Sequence, residues 1–292
     1  MVRLDIQVEL NYAVGAQGAD FIFNIHAAQT ARQTIVAESL ELSQAVDAPV
    51  HTDPATGNRY MRLHAQAGPL KVAYAATVDL THDSADPATL AEVPVGRLPP
   101  DVLGYLYPSR YCQSDRLIKL AFNEFGAMQQ GHSRVMAIQQ WVQQRVAFTS
   151  NTTNSNTSAV DTVIERVGVC RDFAHLMIAL CRALNIPARF ASGTDYGADP
   201  ALGPPDFHAY PEAYLGDRWF IFDASGTAMP MGLVRLGTGR DAADVAFATI
   251  FGGVLTQAPV IRAISIEDQV NGFVLPYRTD AALSSDDGLS VA

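Results

Sequence analysis

One cysteine, one histidine and one aspartate have the types and the order that thiol-based acyl chemistry requires. Such chemistry needs a nucleophile, a base that takes its proton and a third group that orients the base. Cys170 follows Gly168 and opens a segment with apolar residues at helical spacing. His208 and Asp223 lie further along, at the two ends of a strand-like hairpin. The sequence therefore carries a candidate Cys-His-Asp triad.

Cys170 is predicted to stand in the first turn of a buried helix. Bulky or apolar residues recur after it at helical spacing through Leu184. The helix ends at Asn185-Ile186-Pro187, because proline cannot continue it. The unpaired N–H groups and positive dipole end of a helix start favour an anion, and a thiolate is one. The position therefore suits a reactive cysteine.

His208 is predicted to be the base, because imidazole is the side chain that titrates near neutral pH. His175 lies nearer to Cys170 in sequence, five residues further on. On one helix, however, five residues correspond to a rotation of roughly 140°. His175 therefore faces away from the thiol, and we predict a core or supporting role for it.

The hairpin that follows His208 brings a carboxylate to the histidine. If Gly216-Asp217 is a two-residue hairpin loop, Tyr210 faces Asp223 across the strands. His208 and Asp223 are then diagonal neighbours on one side, within side-chain reach. Pro211 inside the strand favours an edge position or a local bulge, which would alter this register.

Three stretches of the sequence together resemble a known family: Gly168 to Leu176, His208-Ala209-Tyr210 and Phe222-Asp223-Ala224-Ser225. They are similar to the transglutaminase-like superfamily, in its bacterial cysteine-protease branch. The chain before them resembles the β-rich N-terminal region of bacterial members. The resemblance implies a papain-like core with Cys170 as nucleophile, His208 as base and Asp223 as orienting carboxylate.

Two positions depart from the pattern of that family. Tyr210 stands where members often have tryptophan, and Ala224-Ser225 stands where they often have Pro-Thr. Neither change removes a catalytic group. We expect both to affect the substrate cleft.

The candidate triad also needs hydrogen-bond donors that stabilise an oxyanion, and a surface that holds the substrate beside it. The backbone N–H of Cys170 is the predicted first donor. Tyr111 and Gln113 are candidates for the second, because they lie in a stretch before the helices that also looks like the family. The glycine- and proline-containing loop at 193–206, which carries three aspartates, is the kind of loop that is often functional.

Patterning divides the chain into a β-rich part and a part with helices, which gives an α+β fold class. Residues 1–90 alternate in strand fashion, with a turn at 15–18, and predict an N-terminal antiparallel β-sandwich. Residues 91–110 are the predicted linker. Residues 111–280 are expected to form the papain-like, transglutaminase-like catalytic domain, with helices packed on an antiparallel sheet. The small, polar tail at 281–292 is predicted to be disordered.

Composition excludes several classes of function. A formal net charge of −10 argues against a nucleic-acid partner and against an anionic membrane surface. The chain shows no apolar leader and no segment long enough to span a bilayer, so a cytoplasmic location is expected. The three widely spaced cysteines predict free thiols. No metal-binding spacing or phosphate loop is present in the sequence, so we expect no cofactor.

The sequence therefore predicts a thiol-dependent acyl enzyme that acts on a peptide or protein substrate. Hydrolysis by a cysteine peptidase or amidase is favoured, because water is the default acceptor and the resemblance is to the protease-like branch. A transglutaminase, which transfers the acyl group to an amine, is the main alternative. A non-catalytic scaffold or binding protein is the third. The sequence does not identify the natural substrate or the oligomeric state.

Overall fold

A computed structural model describes residues 1–194, 196–197 and 205–285 of the 292-residue chain. The strands are β1 (Val2–Phe23), β2 (Gln33–Leu42), β3 (Val50–Thr52), β4 (Arg59–Ala65), β5 (Gly68–Leu80), β6 (Asp83–Ala85), β7 (Ala147–Phe148), β8 (Val167–Gly168), β9 (Ala188–Thr194), β10 (Phe207–Leu215), β11 (Arg218–Ile221), β12 (Arg235–Gly239), β13 (Ala248–Thr256), β14 (Val260–Ile266) and β15 (Ala282–Ser284). The α-helices are α1 (Ser114–Phe125), α2 (His132–Arg145), α3 (Ala159–Glu165) and α4 (Cys170–Ala183). Short 3-10 helices lie at Pro87–Thr89, Val95–Arg97, Leu103–Leu106 and Pro230–Gly232. The predicted α+β fold class is confirmed.

The N-terminal sheet is built on a first strand in which buried and outward-facing residues alternate. Leu4, Ile6 and Val8 on β1 are fully buried, while the residues between them face outward. The strands pair in the order β2-β5-β1-β4-β3, and each pairing is antiparallel. The buried face of this sheet forms a hydrophobic core of its own. Strand β1 is its central element, as a half-buried alternating strand should be.

The turn predicted at residues 15–18 is wrong, because β1 continues through it. The register between β1 and β13 shifts between Val14 and Ala19, which marks a bulge. A Cβ atom at Gly15 would lie 2.9 Å from the carbonyl oxygen of Gly253 on β13. The glycine therefore permits two backbones to approach closely, and it does not reverse the chain.

Two late strands complete the N-terminal sheet. Strand β13 pairs with the second half of β1, and β14 pairs with its first half. Both strands lie within 111–280, the range that the sequence assigns to the catalytic domain. The division of the chain at 91–110 stays a prediction. After β12 the chain returns to the N-terminal sheet, so β13 and β14 belong to that sheet although they follow the predicted linker in sequence.

The end of the described chain is ordered against the rest of the protein. Strand β15 pairs with β6 in antiparallel fashion, and Leu283 and Ser284 are buried. The prediction that disorder begins at residue 281 is therefore wrong for 281–285. The remainder of that predicted tail, 286–292, lies outside the described residues.

Helix α4 is the centre of the second core. It packs against β9 and β10 of a four-stranded sheet with the order β11-β10-β9-β12. Helices α1, α2 and α3 also pack on α4. Every residue of α4 from Asp172 to Ala183 is buried, so only its first turn meets solvent. The predicted start of the helix at Cys170 is confirmed.

A buried charged cluster links this second sheet to the N-terminal part. The Glu212 carboxylate accepts hydrogen bonds from Arg189 Nε at 2.6 Å and from Arg235 Nη2. The backbone N–H of Arg235 donates to Gln33 Oε1 at 2.8 Å, and Gln33 Nε2 donates to the Arg235 carbonyl at 2.8 Å. The cluster therefore fixes β9, β10 and β12 relative to the start of β2.

Over the part of the chain that the structure describes, none of the helices combines the length and the apolar character needed to cross a bilayer.

Candidate active site

A buried carboxylate fixes the start of α4 and with it the thiol. Asp172 Oδ2 accepts hydrogen bonds from the Val169 backbone N–H at 2.9 Å and from Thr153 Oγ1 at 2.8 Å. A Cβ atom at Gly168 would lie 2.8 Å from Cβ of Asp172, so this close packing requires glycine. The sequence run Gly168 to Asp172 therefore makes a rigid helix start that presents Cys170 at its first position.

Cys170 is the accessible thiol of the protein. Cys112 and Cys181 are fully buried, and this burial raises the pKa of both thiols to about 12. Cys170 is only partly buried, and its Sγ lies 3.7 Å from the carbonyl oxygen of Phe207. At neutral pH the buried pair is therefore unreactive, because a thiolate is the nucleophilic form.

The predicted hairpin register is confirmed. Leu215 pairs with Arg218, and the same register continues to Glu212 with Ile221. Beyond the paired strands, the Phe222 N–H donates to the Pro211 carbonyl at 2.9 Å, so Pro211 introduces no register shift at this point. Strand β10 is an inner strand between β9 and β11, so neither the edge position nor the bulge expected from Pro211 is found.

The hairpin brings His208 to Asp223, with His208 Nε2 3.3 Å from Asp223 Oδ1. Both side chains are buried. Burial lowers the pKa of His208, but the charge of Cys170 and hydrogen bonds to Asp223 and Cys170 outweigh it and raise this pKa to about 10. The arrangement thus favours an imidazolium beside the sulfur.

Asp223 is itself held by several donors. Its Oδ1 accepts from Ser225 Oγ at 2.7 Å, and its Oδ2 accepts from the Ala228 N–H at 2.8 Å. Burial raises the pKa of Asp223, but hydrogen bonds from His208, Ser225 and Ala228 outweigh this effect and keep the pKa below its ordinary value. The carboxylate therefore stays ionised and accepts from the ring.

The two positions that depart from the family pattern contact Asp223 and His208 directly, whereas the sequence predicts effects on the substrate cleft. Ser225 donates to Asp223, as described above. Tyr210 is fully buried, and its ring centroid lies 4.5 Å from that of His208. The contact of Ser225 with an aspartate two residues earlier is a local pairing that serine often makes, and this was the available signal.

Comparison with known proteins assigns both parts of the chain. The Transglutaminase-like superfamily core model matches residues 121–224, and the model of the bacterial transglutaminase N-terminal domain matches residues 2–101. A solved structure from Cytophaga hutchinsonii, described as a "putative cysteine protease", is 42% identical, with a TM-score of 0.90 over 97% of each chain. The chain belongs to the transglutaminase-like superfamily.

Two mycobacterial relatives are more distant. An uncharacterized protein from Mycobacterium leprae is 26% identical over 145 residues, which are 48% of this chain and 52% of the relative. An uncharacterized protein from Mycobacterium bovis is 31% identical over 109 residues, which are 34% and 35% of the two chains. The chain thus spans about half the length of the first relative and about a third of the second. Family membership and the Cytophaga structure support a thiol-dependent enzyme of this superfamily.

His175 of the transglutaminase-like core has a structural place, as predicted. It is fully buried, and its ring lies between those of Tyr111 and Phe190, with centroids 5.0 and 5.2 Å away. Its Nε2 accepts a hydrogen bond from the Ala242 N–H at 3.1 Å. Burial holds the pKa of His175 well below its ordinary value, so the ring is neutral.

The role of Tyr111 as an oxyanion donor stays a prediction, and both of its donors have acceptors elsewhere in this structure. Its N–H donates to Asp241 Oδ2 at 2.9 Å, and its hydroxyl donates to the Ser155 carbonyl at 2.7 Å. Both hydrogens are therefore already used. Gln113 Nε2 donates to the Arg110 carbonyl at 3.3 Å, and the role of Gln113 stays a prediction. The Cys170 N–H lies in the first turn, where helical N–H groups lack partners within the helix.

A surface pocket of the protein is lined by none of Cys170, His208 and Asp223. It has a volume of about 640 Å³ and opens between the N-terminal sheet and the segment before β13, lined by Ile22, His51, Tyr60, Arg62, Ala243, Asp244, Ala246 and Thr249. Within the described ranges, no three His, Cys, Asp or Glu side chains are grouped to hold a metal ion. Most of the loop predicted at 193–206, namely 195 and 198–204, lies outside the described residues.

Proposed function

We propose that the protein is a thiol-dependent acyl enzyme with Cys170 as nucleophile, His208 as acid and base, and Asp223 as the orienting carboxylate. The observation that carries this proposal is the position of the accessible Cys170 thiol. It stands at a helix start, and it interacts with a histidine whose ring contacts a buried carboxylate. This is the combination of nucleophile, base and orienting group that covalent acyl transfer needs.

The reaction begins when Cys170 Sγ attacks the carbonyl carbon of a peptide or carboxamide bond. The electron pair moves to the carbonyl oxygen, and N–H groups of the first turn of α4 stabilise the negative charge. The C–N bond then breaks, and the amine leaves with the proton of the His208 imidazolium. A thioester on Cys170 remains. An acceptor attacks it, gives its proton to His208, and releases the acyl group and the thiolate.

We propose water as the acceptor, which makes the enzyme a cysteine peptidase or amidase. The description of the Cytophaga relative as a "putative cysteine protease" supports this choice. A primary amine is the alternative acceptor, and the family model of the bacterial transglutaminase N-terminal domain favours it. The two reactions share every step up to the thioester and differ only in what attacks it.

Thiol reactivity and product masses test the proposal in two steps. With iodoacetamide at neutral pH, Cys170 is expected to be alkylated much faster than Cys112 and Cys181, which serve as internal controls. With a small set of acetyl-tripeptide p-nitroanilides, the acyl product is then weighed with and without a primary amine. Equal labelling of all three cysteines contradicts the catalytic role of Cys170. Amine adducts that outpace the free acid overturn hydrolysis in favour of transfer.

Replacing Asp223 is expected to move the basic limb of the pH–rate profile to lower pH. The pKa of His208 is raised to about 10, so the imidazolium that protonates the leaving amine persists through neutral pH and is lost as pH rises through about 10. Asp223→Asn removes one of the groups that raise this pKa. Single-turnover release of p-nitroaniline, followed from about pH 6 to about pH 11, measures the position of the basic limb.

Asp217→Asn is the matched control for this change. Asp217 lies in the same hairpin, is exposed, and has a φ of 65° that asparagine also adopts. Its profile is expected to coincide with that of the wild type. A basic limb that stays in place in Asp223→Asn contradicts the proposed coupling between Asp223 and His208.

A further inference from the structure

Phe207 contacts the Cys170 thiol through its backbone, and its ring stacks on a second aromatic ring. The carbonyl oxygen of Phe207 lies 3.7 Å from Cys170 Sγ, so the backbone of Phe207 forms one wall beside the sulfur. The Phe207 ring stacks on that of Phe247, with centroids 4.5 Å apart and planes at 17°. We call these two side chains the Phe207–Phe247 pair. The pair is therefore an apolar surface carried by the residue whose carbonyl contacts the sulfur.

The pair is only partly covered by the protein. Phe207 is partly buried and packs against the N-terminal core, whereas Phe247 is 38% exposed. Aromatic rings contribute large apolar areas, and removing that area from water is favourable. A partly exposed ring that stacks on the residue next to the nucleophile is therefore a surface on which an apolar side chain of a substrate gains binding energy.

The N-terminal sheet fixes Phe247 in this place. The backbone N–H of the buried Asn24 donates to the Phe247 carbonyl at 3.1 Å. The next residue, Ala248, begins β13 and pairs with Phe23 of β1. The backbone of Phe247 is thus held at its own carbonyl and at the next residue, and the stacking on Phe207 orients its ring. This gives the N-terminal sheet a direct part in the geometry beside the thiol.

We propose that the Phe207–Phe247 pair is a subsite that binds an aromatic or large aliphatic side chain of the acyl donor close to the attacked carbonyl. The inference rests on the proposed function, since it names the substrate class for the same site. An acidic or small side chain gains little at such a surface, because a charge loses water there without a partner. The N-terminal sheet then contributes to specificity through Phe247.

Peptidyl chloromethyl ketones that alkylate Cys170 test the subsite without knowledge of the natural substrate. A series differs only in one side chain, Phe, Leu, Ala or Asp, at each of the two positions nearest to the electrophile. Alkylation rates are measured by intact mass. At one of these positions the Phe and Leu probes are expected to react about tenfold or more faster than the Asp probe, since apolar subsites discriminate by factors of this size.

Phe247→Ala is expected to remove most of this preference, while the rate of Cys170 with iodoacetamide stays unchanged. Phe247→Leu is the second variant, which keeps an apolar side chain and so retains the discrimination against Asp but loses part of that between Phe and Leu. Phe251→Ala is the matched control, because Phe251 is an exposed phenylalanine of β13 itself. It is expected to leave all ratios unchanged.

The outcomes separate this inference from the proposed function. Equal rates for all probes in the wild type, or an unchanged preference in both Phe247 variants, overturn the subsite while fast iodoacetamide labelling still supports the nucleophile. Slow iodoacetamide labelling of Cys170 in the wild type overturns the proposed function instead. If Phe251→Ala also removes the preference, the effect is a general one of β13. This outcome contradicts a subsite at the Phe207–Phe247 pair.

Discussion

Cys170→Ala and His208→Ala are each expected to lower the rate of acyl transfer by about 10³-fold or more, and the double variant is expected to lose no more than either single one. The reason is that, in the proposed mechanism, Cys170 and His208 act as one unit. The charge of Cys170 contributes to the raised pKa of His208, and the leaving amine takes its proton from the same ring. Once one of the two groups is removed, removing the other lowers the rate no further.

Single-turnover release of p-nitroaniline measures this effect, with enzyme in excess over a tripeptide anilide. Cys181→Ala is the matched control, because Cys181 lies on the same helix but is buried and unreactive. It is expected to retain the activity of the wild type. Losses that multiply in the double variant indicate two independent contributions and contradict a single catalytic unit.

Two local parts of the candidate site were predictable from the sequence: the helix start at Cys170 and the hairpin that joins His208 to Asp223. Gly168 and Asp172 define a helix start within a few residues, so the place of Cys170 follows from capping and spacing. His208 and Asp223 belong to one hairpin whose two-residue turn sets the register. Neither step requires knowledge of which distant parts of the chain meet.

The parts that the sequence did not predict depend on distant contacts. Gly15 interrupts the alternation of β1 as a turn does, but its partner Gly253 lies more than two hundred residues later in the sequence. Tyr111 donates to Asp241 and Ser155, which lie 130 and 44 residues further along the chain. Pairing and hydrogen bonding across the chain have no periodic signature, so pattern reasoning does not detect them.

The buried cluster of Arg189, Glu212 and Arg235 is another long-range feature. Glu212 is fully buried and lies opposite two guanidinium groups that are themselves almost covered. Burial raises the pKa of Glu212, but the two arginines outweigh it and keep the pKa below its ordinary value of 4.5. The carboxylate is thus charged, and its role is to neutralise two buried positive charges.

Glu212→Gln is expected to lower the free energy of unfolding by about 3–5 kcal/mol, the usual cost of breaking a buried ion pair from one side. The substitution keeps the size of the side chain but removes the negative charge that Glu212 places opposite Arg189 and Arg235. Because Arg235 also bonds Gln33 through its backbone, the loss is expected to loosen the contact between the second sheet and the start of β2. Urea unfolding, followed by tryptophan fluorescence, measures the change; Trp219 lies under the Arg189 guanidinium at 4.3 Å.

Glu9→Gln is the control, because Glu9 pairs with Lys71 on the exposed face of β1 and solvent screens that pair. It is expected to change stability little. The pH dependence gives a second readout: since the pKa of Glu212 is lowered on folding, its contribution is present above about pH 4.5 and is lost as pH falls through the folded value. The difference in stability between wild type and Glu212→Gln is therefore expected to shrink in acid. A difference that is small at neutral pH, or that grows in acid, shows that the carboxylate does not neutralise the two arginines.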